Sequence, residues 1–247
     1  MLLDNKVSIV TGCNRGIGKS ILEIFSENGA SIIACVRKVD EQFSDYIIGL
    51  EKKYKNKIIP VSFNFENIEE VKKAAKEIIE KNKNIEILVN NAGIIDTYLF
   101  QMTTEKNLKK MFEVNFFSQM IFTQLIVKGM MKNKKGNIVN ISSSAAIDGN
   151  YGRSSYAASK AAIIANTKVI SRELGAFNIR VNAVAPGTTN TDMLNKNSPK
   201  DLIEDFVKRT SLRRVGNAEE IAKVVLFLSS DLSSYVTGQT IRVDGGI

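Results

Sequence analysis

Val7-Ser-Ile-Val-Thr-Gly-Cys-Asn-Arg-Gly-Ile-Gly-Lys-Ser-Ile-Leu22 is the stretch that decides the fold. It begins inside a short β-branched run over residues 6–10, which reads as a strand. It ends inside a helical pattern over residues 17–28. Between the two lie Gly12, Gly16 and Gly18, with Asn14, Arg15 and Ile17 filling the loop. Glycine permits a tight turn and lets backbone N–H groups approach a pyrophosphate. The helix N-terminus that follows adds partial positive charge. Strand, glycine loop and helix in that order form a dinucleotide cradle. The spacing is G-x-x-x-G-x-G rather than the commoner G-x-G-x-x-G, so the loop alone also fits a generic turn.

The same alternation runs down the chain. Strand patterns fall at 31–36, 57–62, 85–90, 136–141, 179–184 and 239–243. Helical patterns fall at 40–54, 67–82, 104–131, 155–176 and 217–229. Ile85-Glu-Ile-Leu-Val89 and Asn137-Ile-Val-Asn-Ile141 are short and mostly apolar, as strands buried on both faces must be. The pattern predicts an α/β fold over residues 1–247 as one domain. Its core is a single doubly wound, Rossmann-type parallel sheet of about seven strands with helices on both faces. In such sheets the ligand lies beyond the carboxyl ends of the strands, so residues just after each strand matter most.

The second strand, Ser31–Val36, runs into Arg37 and Lys38. A site built for NAD places a carboxylate here to hold the ribose hydroxyls. No Asp or Glu occurs between Ser31 and Val39. Arg37 can instead grip a 2′-phosphate with its planar guanidinium, and Arg15 is a second candidate. This predicts NADP(H) as cofactor. The alternative is a pair of solvated surface arginines.

Composition removes several chemistries. The 247 residues contain no histidine. Nucleophiles that rely on His, and imidazole metal ligands, are therefore excluded, and no metal is expected. Proton transfer falls to Tyr, Lys, Asp, Glu or a hydroxyl. Cys13 and Cys35 read as small buried thiols in a reducing compartment. The net charge of +8 is spread over runs such as Glu51-Lys-Lys-Tyr-Lys55 and Val71-Lys-Lys73. Such runs are solvated helix faces, and no nucleic-acid module accompanies them. No apolar run approaches the ~20 residues that span a bilayer. The chain enters a strand pattern at once, which leaves no room for a signal peptide, so a cytoplasmic location is expected.

Tyr156 and Lys160 stand at i and i+4 of a helical pattern and so share a face. A free phenol has a pKa of about 10 and is a poor acid or base at neutral pH. Lowering it by ~3 units takes roughly 4 kcal/mol of differential stabilisation. One ammonium in a partly buried site supplies that order of energy. Taken alone, the pair also fits a surface Tyr–Lys contact.

Together these stretches resemble the short-chain dehydrogenase/reductases over essentially the whole chain. Thr11-Gly12…Gly16-Ile17-Gly18 is similar to the family's cofactor loop, and Asn90-Asn-Ala-Gly93 to its N-N-A-G motif. Asn115 falls in the matching helix. Ser143 precedes Tyr156 by thirteen residues, and Tyr156-Ala-Ala-Ser-Lys160 is the Y-x-x-x-K signature. Pro186-Gly187 and Thr191-Asp192 match the next cofactor-contacting stretch. The resemblance implies a catalytic set of Asn115, Ser143, Tyr156 and Lys160. It implies cofactor contacts from Gly12, Asn14, Arg15, Gly16, Ile17, Gly18, Arg37, Asn64, Phe65, Asn91, Ala92, Gly93, Tyr156, Lys160, Pro186, Gly187, Thr189 and Thr191. Tyr156 would protonate the developing alkoxide, with Ser143 donating to the same oxygen. Lys160 would hold the nicotinamide ribose and tune Tyr156. Asn115 would keep a water that reconnects Lys160 to solvent. The neighbours Ser142, Ser144 and Ser155 are weaker candidates than Ser143. A homotetramer or homodimer is also implied, through the helices carrying Asn115 and Tyr156.

Within the family, Val236-Thr-Gly-Gln-Thr-Ile-Arg-Val-Asp-Gly-Gly246 looks most like the bacterial 3-oxoacyl-acyl-carrier-protein reductases. That implies an NADPH-dependent reduction of a 3-oxoacyl thioester, with an acidic acyl carrier protein as possible partner. Lys134 occupies one basic docking position, but Phe177 stands where a second arginine is expected. Thr188-Thr-Asn190 replaces a bulky apolar pair. Asp148, Asn150, Tyr151 and Arg153 make the loop 145–153 a polar substrate mouth. A sugar, nucleotide-sugar or steroid hydroxyl is therefore the alternative substrate. A non-catalytic cofactor sensor on the same fold is the alternative of another class. Residues 188–212 are expected to form a lid over the substrate.

Overall fold

The computed structural model describes residues 1–197 and 200–247. Its elements follow one another as strand and helix. They begin β1 (Val7–Thr11), α1 (Gly16–Glu27), β2 (Ser31–Val36), α2 (Glu41–Tyr54), β3 (Ile58–Ser62), α3 (Ile68–Lys81) and β4 (Ile85–Asn90). Then come α4 (Glu105–Phe112), a π-helical turn (Glu113–Phe117), α5 (Ser118–Asn133) and β5 (Gly136–Ile141). A short α6 (Ala145–Asp148) precedes α7 (Ser154–Leu174) and β6 (Ile179–Pro186). The rest is β7 (Thr189–Asn190), α8 (Asp192–Asn197), α9 (Lys200–Arg209), β8 (Gly216–Asn217), α10 (Ala218–Ser229) and β9 (Thr240–Val243).

Seven parallel strands form the main sheet in the order β3-β2-β1-β4-β5-β6-β9. Side chains alternate across it. Val10 joins the apolar layer under α1, α2 and α10, with Phe25, Ile47 and Val225. Ile9 joins the layer under α3 and α5, with Val71, Phe122 and Ile126. Burial on both faces explains why the strands read as near-continuous apolar runs. Local signals set the helix starts. The Asp40 side chain accepts from Phe43 N at 2.9 Å, and Asn67 accepts from Glu69 N and Glu70 N. Asn217 and Glu220 close a capping box on α10.

The strand order reverses direction between β1 and β4. Loops leaving those two neighbours run to opposite sides of the sheet, and a crevice opens between them.

Two expectations need correction. The helix expected over 104–131 is broken by the π-helical turn at Asn115. Residues 188–212 also hold regular structure that their composition did not announce, namely β7, α8 and α9. Part of the expected lid, 198–199, lies outside the described residues.

Candidate active site

The crevice above β1 and β4 continues into a cavity of about 350 Å³. Its floor is the glycine loop. Gly12 has φ +66°, and a Cβ there would stand 2.8 Å from Ala92 Cα. A Cβ on Gly18 would stand 2.2 Å from Gly12 O. Only glycine fits at either position, so the backbone of the loop and the N-terminus of α1 stay open to a ligand. Thr11 ties this loop to the one after β4. Its Oγ1 accepts from Asn91 N and Ala92 N, both at 3.0 Å. Asn91 Nδ2 returns bonds to Thr11 O at 2.9 Å and Gly12 O at 3.0 Å. In the sequence Thr11 is only part of the motif; the clamp its hydroxyl makes is a tertiary feature.

Arg15 and Arg37 both line this end of the cavity, with Asn64, Phe65 and Glu66 beside them. Neither arginine has an ion-pair partner among the described residues. Narrow glycine turns, a helix N-terminus and two available guanidinium groups fit a dinucleotide phosphate and an added 2′-phosphate. The residues present therefore fit NADP(H). Groups of metal-ligating side chains are absent among the described residues.

The end of the cavity expected to react lies between β5 and α7. Ser143 follows β5, and its hydroxyl hydrogen-bonds the Tyr156 phenol. Tyr156 is 9% exposed. Burial pushes its phenol up, while the Ser143 bond and the charge of Arg153 draw it down. Ser142 is turned away and donates to Lys160 O at 2.9 Å. That difference separates Ser143 from its neighbour in a way the sequence did not.

Lys160 is 3% exposed, and burial lowers its ammonium to about 8. Its Nζ donates to Ile141 O at 2.7 Å. A Cβ on Gly93 would stand 3.2 Å from Asn115 Oδ1 and 3.4 Å from Lys160 Nζ, so Gly93, Asn115 and Lys160 share one wall. Asn115 uses its side chain as a clamp. Oδ1 accepts from Ile94 N at 2.9 Å, and Nδ2 donates to Ile94 O at 3.0 Å and Ser159 Oγ at 3.1 Å.

Pro186, Gly187, Thr188, Thr189 and Thr191 close the far side. Thr189 Oγ1 donates to Gly187 O at 3.0 Å, and a Cβ on Gly16 would stand 3.3 Å from Thr191 Cγ2. Met193, Leu194 and Phe206 then bring apolar side chains from α8 and α9. These three were missed in the sequence. For Phe206 a signal was present, since Leu202, Ile203, Phe206 and Val207 repeat at helical spacing.

The polar mouth is partly redrawn. Asn150 and Arg153 line the cavity, but Tyr151 is 83% exposed and lies outside it. Asp148 belongs to α6 and is held by Arg242 of β9, with bonds of 2.8 and 2.6 Å. Lys134 ends α5 in the left-handed conformation, and its carbonyl accepts from Asn178 Nδ2 at 3.3 Å. Lys134 and Phe177 are thus on adjoining turns, and Phe177 packs partly into the core.

A family model described as enoyl-(acyl carrier protein) reductase matches residues 12–247. The 3-oxoacyl-[acyl-carrier-protein] reductase FabG of Thermotoga maritima is 40% identical over 100% of this chain and 99% of its own. The chain belongs to the short-chain dehydrogenase/reductase family. The 3alpha-hydroxysteroid dehydrogenase of Mediterraneibacter gnavus is 37% identical over 99% of this chain and 98% of its own. Among solved structures, a 7 alpha-hydroxysteroid dehydrogenase complexed with NADH and 7-oxo glycochenodeoxycholic acid superposes with a TM-score of 0.92. It is 33% identical and covers 99% of this chain and 94% of its own. The protein is an oxidoreductase of this family, which sets aside the reading as a non-catalytic sensor.

Proposed function

We propose that this protein is an NADPH-dependent carbonyl reductase acting on a 3-oxoacyl thioester. One observation carries the reading. Ser143, Tyr156 and Lys160 meet at one end of a cavity whose other end holds the glycine loop, Arg15 and Arg37. The likeness to the Thermotoga maritima reductase supports the thioester as substrate.

NADP(H), when bound, supplies the hydride. The chain's own residues do the rest. The Gly12–Gly18 loop, with Asn14 and Ile17, holds the pyrophosphate, and Arg15 and Arg37 hold the 2′-phosphate. Asn64, Phe65, Asn91, Ala92 and Gly93 line the path between them and the reacting end. Pro186, Gly187, Thr189 and Thr191 hold the nicotinamide side. Ser143 and Tyr156 both donate to the substrate carbonyl oxygen. As charge develops there, the Tyr156 proton moves to it. Lys160 holds the ribose and offers its charge to the phenolate left behind. Asn115 keeps the wall beside Lys160 in place for reprotonation. The described parts of 188–212 close over the substrate, with Phe206 against its apolar part.

The same reading places the protein in the cytoplasm, as its two buried free thiols support. No described helix is long and apolar enough to cross a membrane. A homotetramer or homodimer would form through α4, the π-helical turn and α7, where Leu108, Phe117 and Val169 are exposed. An acyl carrier protein would dock near Lys134 without help from an arginine at Phe177.

A second reading, a hydroxysteroid oxidoreductase, is favoured by the apolar wall of Met193, Leu194 and Phe206 and by the 37% identical steroid enzyme. One assay separates the two. Loss of NADPH absorbance is followed with an acetoacetyl thioester, on carrier protein and on coenzyme A, and with a 3-oxo bile acid. NADH is run in parallel. Fast turnover of the thioester with NADPH, faster on the carrier protein, is expected. Turnover of the bile acid alone would replace the first reading with the second.

A further inference from the structure

Arg153 has no place in the set of catalytic and cofactor-binding residues, yet it is buried at the reacting end. It is 7% exposed and lines the same cavity as Ser143 and Tyr156. It is the N-cap of α7 and stands three residues before Tyr156 in the chain. The surrounding backbone holds it at several points. Arg153 N donates to Asn150 O at 3.1 Å, and Arg153 O accepts from Ala157 N at 2.7 Å. Its Nη1 donates to Asp96 O at 3.2 Å. Tyr98 N donates to Gly152 O at 3.0 Å, so the loop after Gly93 braces the same turn. A buried cation acts on its neighbours through a lower dielectric than a surface one.

The charges around the phenol can be named. Arg153, at the N-cap of α7, and Lys160, within α7, line the cavity with it, and Asp96, in the loop after β4, acts on Arg153. Glu66 and Asp192 lie on more distant cavity walls. Lys160 spends a bond on Ile141 O, and burial lowers its ammonium from the ordinary value. Arg153 does not deprotonate in the range where a phenol ionises. Arg153 therefore stands beside Lys160 as a second buried cation lining the cavity that holds Tyr156.

We propose that Arg153 is the second cation of the site, a positioning residue whose guanidinium stabilises the Tyr156 phenolate. In carbonyl reduction the O–H bond of Tyr156 breaks and a new one forms on the carbinol oxygen. The electron pair stays on Tyr156 Oη, in the cavity that Arg153 and Lys160 also line. Arg153 is also the charged group that draws the phenol down against burial. The kinetic consequence rests on the reductase reading; the spectroscopic one does not.

The test is a tyrosinate absorbance titration of the whole protein, with Tyr156→Phe subtracted to isolate the one phenol. Arg153→Gln should raise the Tyr156 midpoint by about one pH unit. Arg153→Met, which keeps most of the stem, should do the same and serves if the glutamine variant does not fold. Arg153→Lys should return the midpoint close to wild type. The alcohol-oxidation rate should shift along the pH axis in parallel. An unmoved midpoint in the glutamine or methionine variant would overturn the proposal, as would a lysine variant that behaves like glutamine. A shifted midpoint in a protein inactive on every thioester would leave Arg153 assigned and defeat only the reductase reading.

Discussion

Lys160 shows what burying a single charged residue does to stability. Its ordinary pKa of 10.5 falls to about 8 because burial penalises the ammonium. The folded state therefore binds its proton less tightly than the unfolded state. Between about pH 8 and 10.5 the unfolded chain holds more protons, so stability rises with pH across that window. Below it the folded protein carries a cost of about 3 kcal/mol. Lys160→Met removes this pH dependence, and it also strips the Ile141 carbonyl of its donor. The expected result is a wild type that gains denaturation free energy from pH 8 to 10 and a methionine variant that does not. Equal slopes would mean that Lys160 is not buried as a charge. Turnover should be lost in the variant throughout. Cys13 is the contrasting case: burial pushes its thiol up to about 12, so it is inert packing beside the cofactor loop.

At the scale of elements, irregular pieces do most to shape the site. The π-helical turn inserts one residue's worth of register into a long helix, and such turns concentrate at functional sites. It sets Asn115 against Ile94 and Ser159, just behind Lys160. The α9 helix contributes differently. Its apolar stripe faces inward, and Phe206 reaches the cavity from it. Phe206→Ala should raise KM for a long acyl or steroid substrate about tenfold, in line with the loss of one aromatic contact. The thermal midpoint should barely move, since Phe206 is only half-buried. A lower kcat at unchanged KM would place Phe206 outside the substrate contact.

The whole molecule is arranged around the reversal of strand order between β1 and β4. Glycine loop, Asn90–Gly93 loop, Ser143 and Pro186 all leave the same sheet edge, although they are far apart in sequence. Outside that edge, α4, the π-helical turn and α7 lie side by side. Phe117 is 50% and Val169 52% exposed on them. An apolar face of this kind is suited to self-association. Val169→Glu should lower the sedimentation mass of the assembly at micromolar concentration. An assembly of unchanged mass would move the interface elsewhere.

The sequence by itself determined the layered fold, the seven strands and the positions of the glycine loop, Tyr156 and Lys160. These depend on local chemistry: apolar runs, glycines where a Cβ collides, and an i, i+4 pair on one helix. The tertiary structure alone decided the rest. Asp148 looked like a substrate contact until β9 brought Arg242 to it across the fold. Ser143 was preferred to Ser142 only on spacing and resemblance, and the fold supplies the physical difference, which way each hydroxyl points. Arg153 read as a polar loop residue, and only packing against the loop after β4 buried it beside Tyr156. Local propensity is written residue by residue, whereas burial and ion pairing depend on partners that the chain supplies from far away.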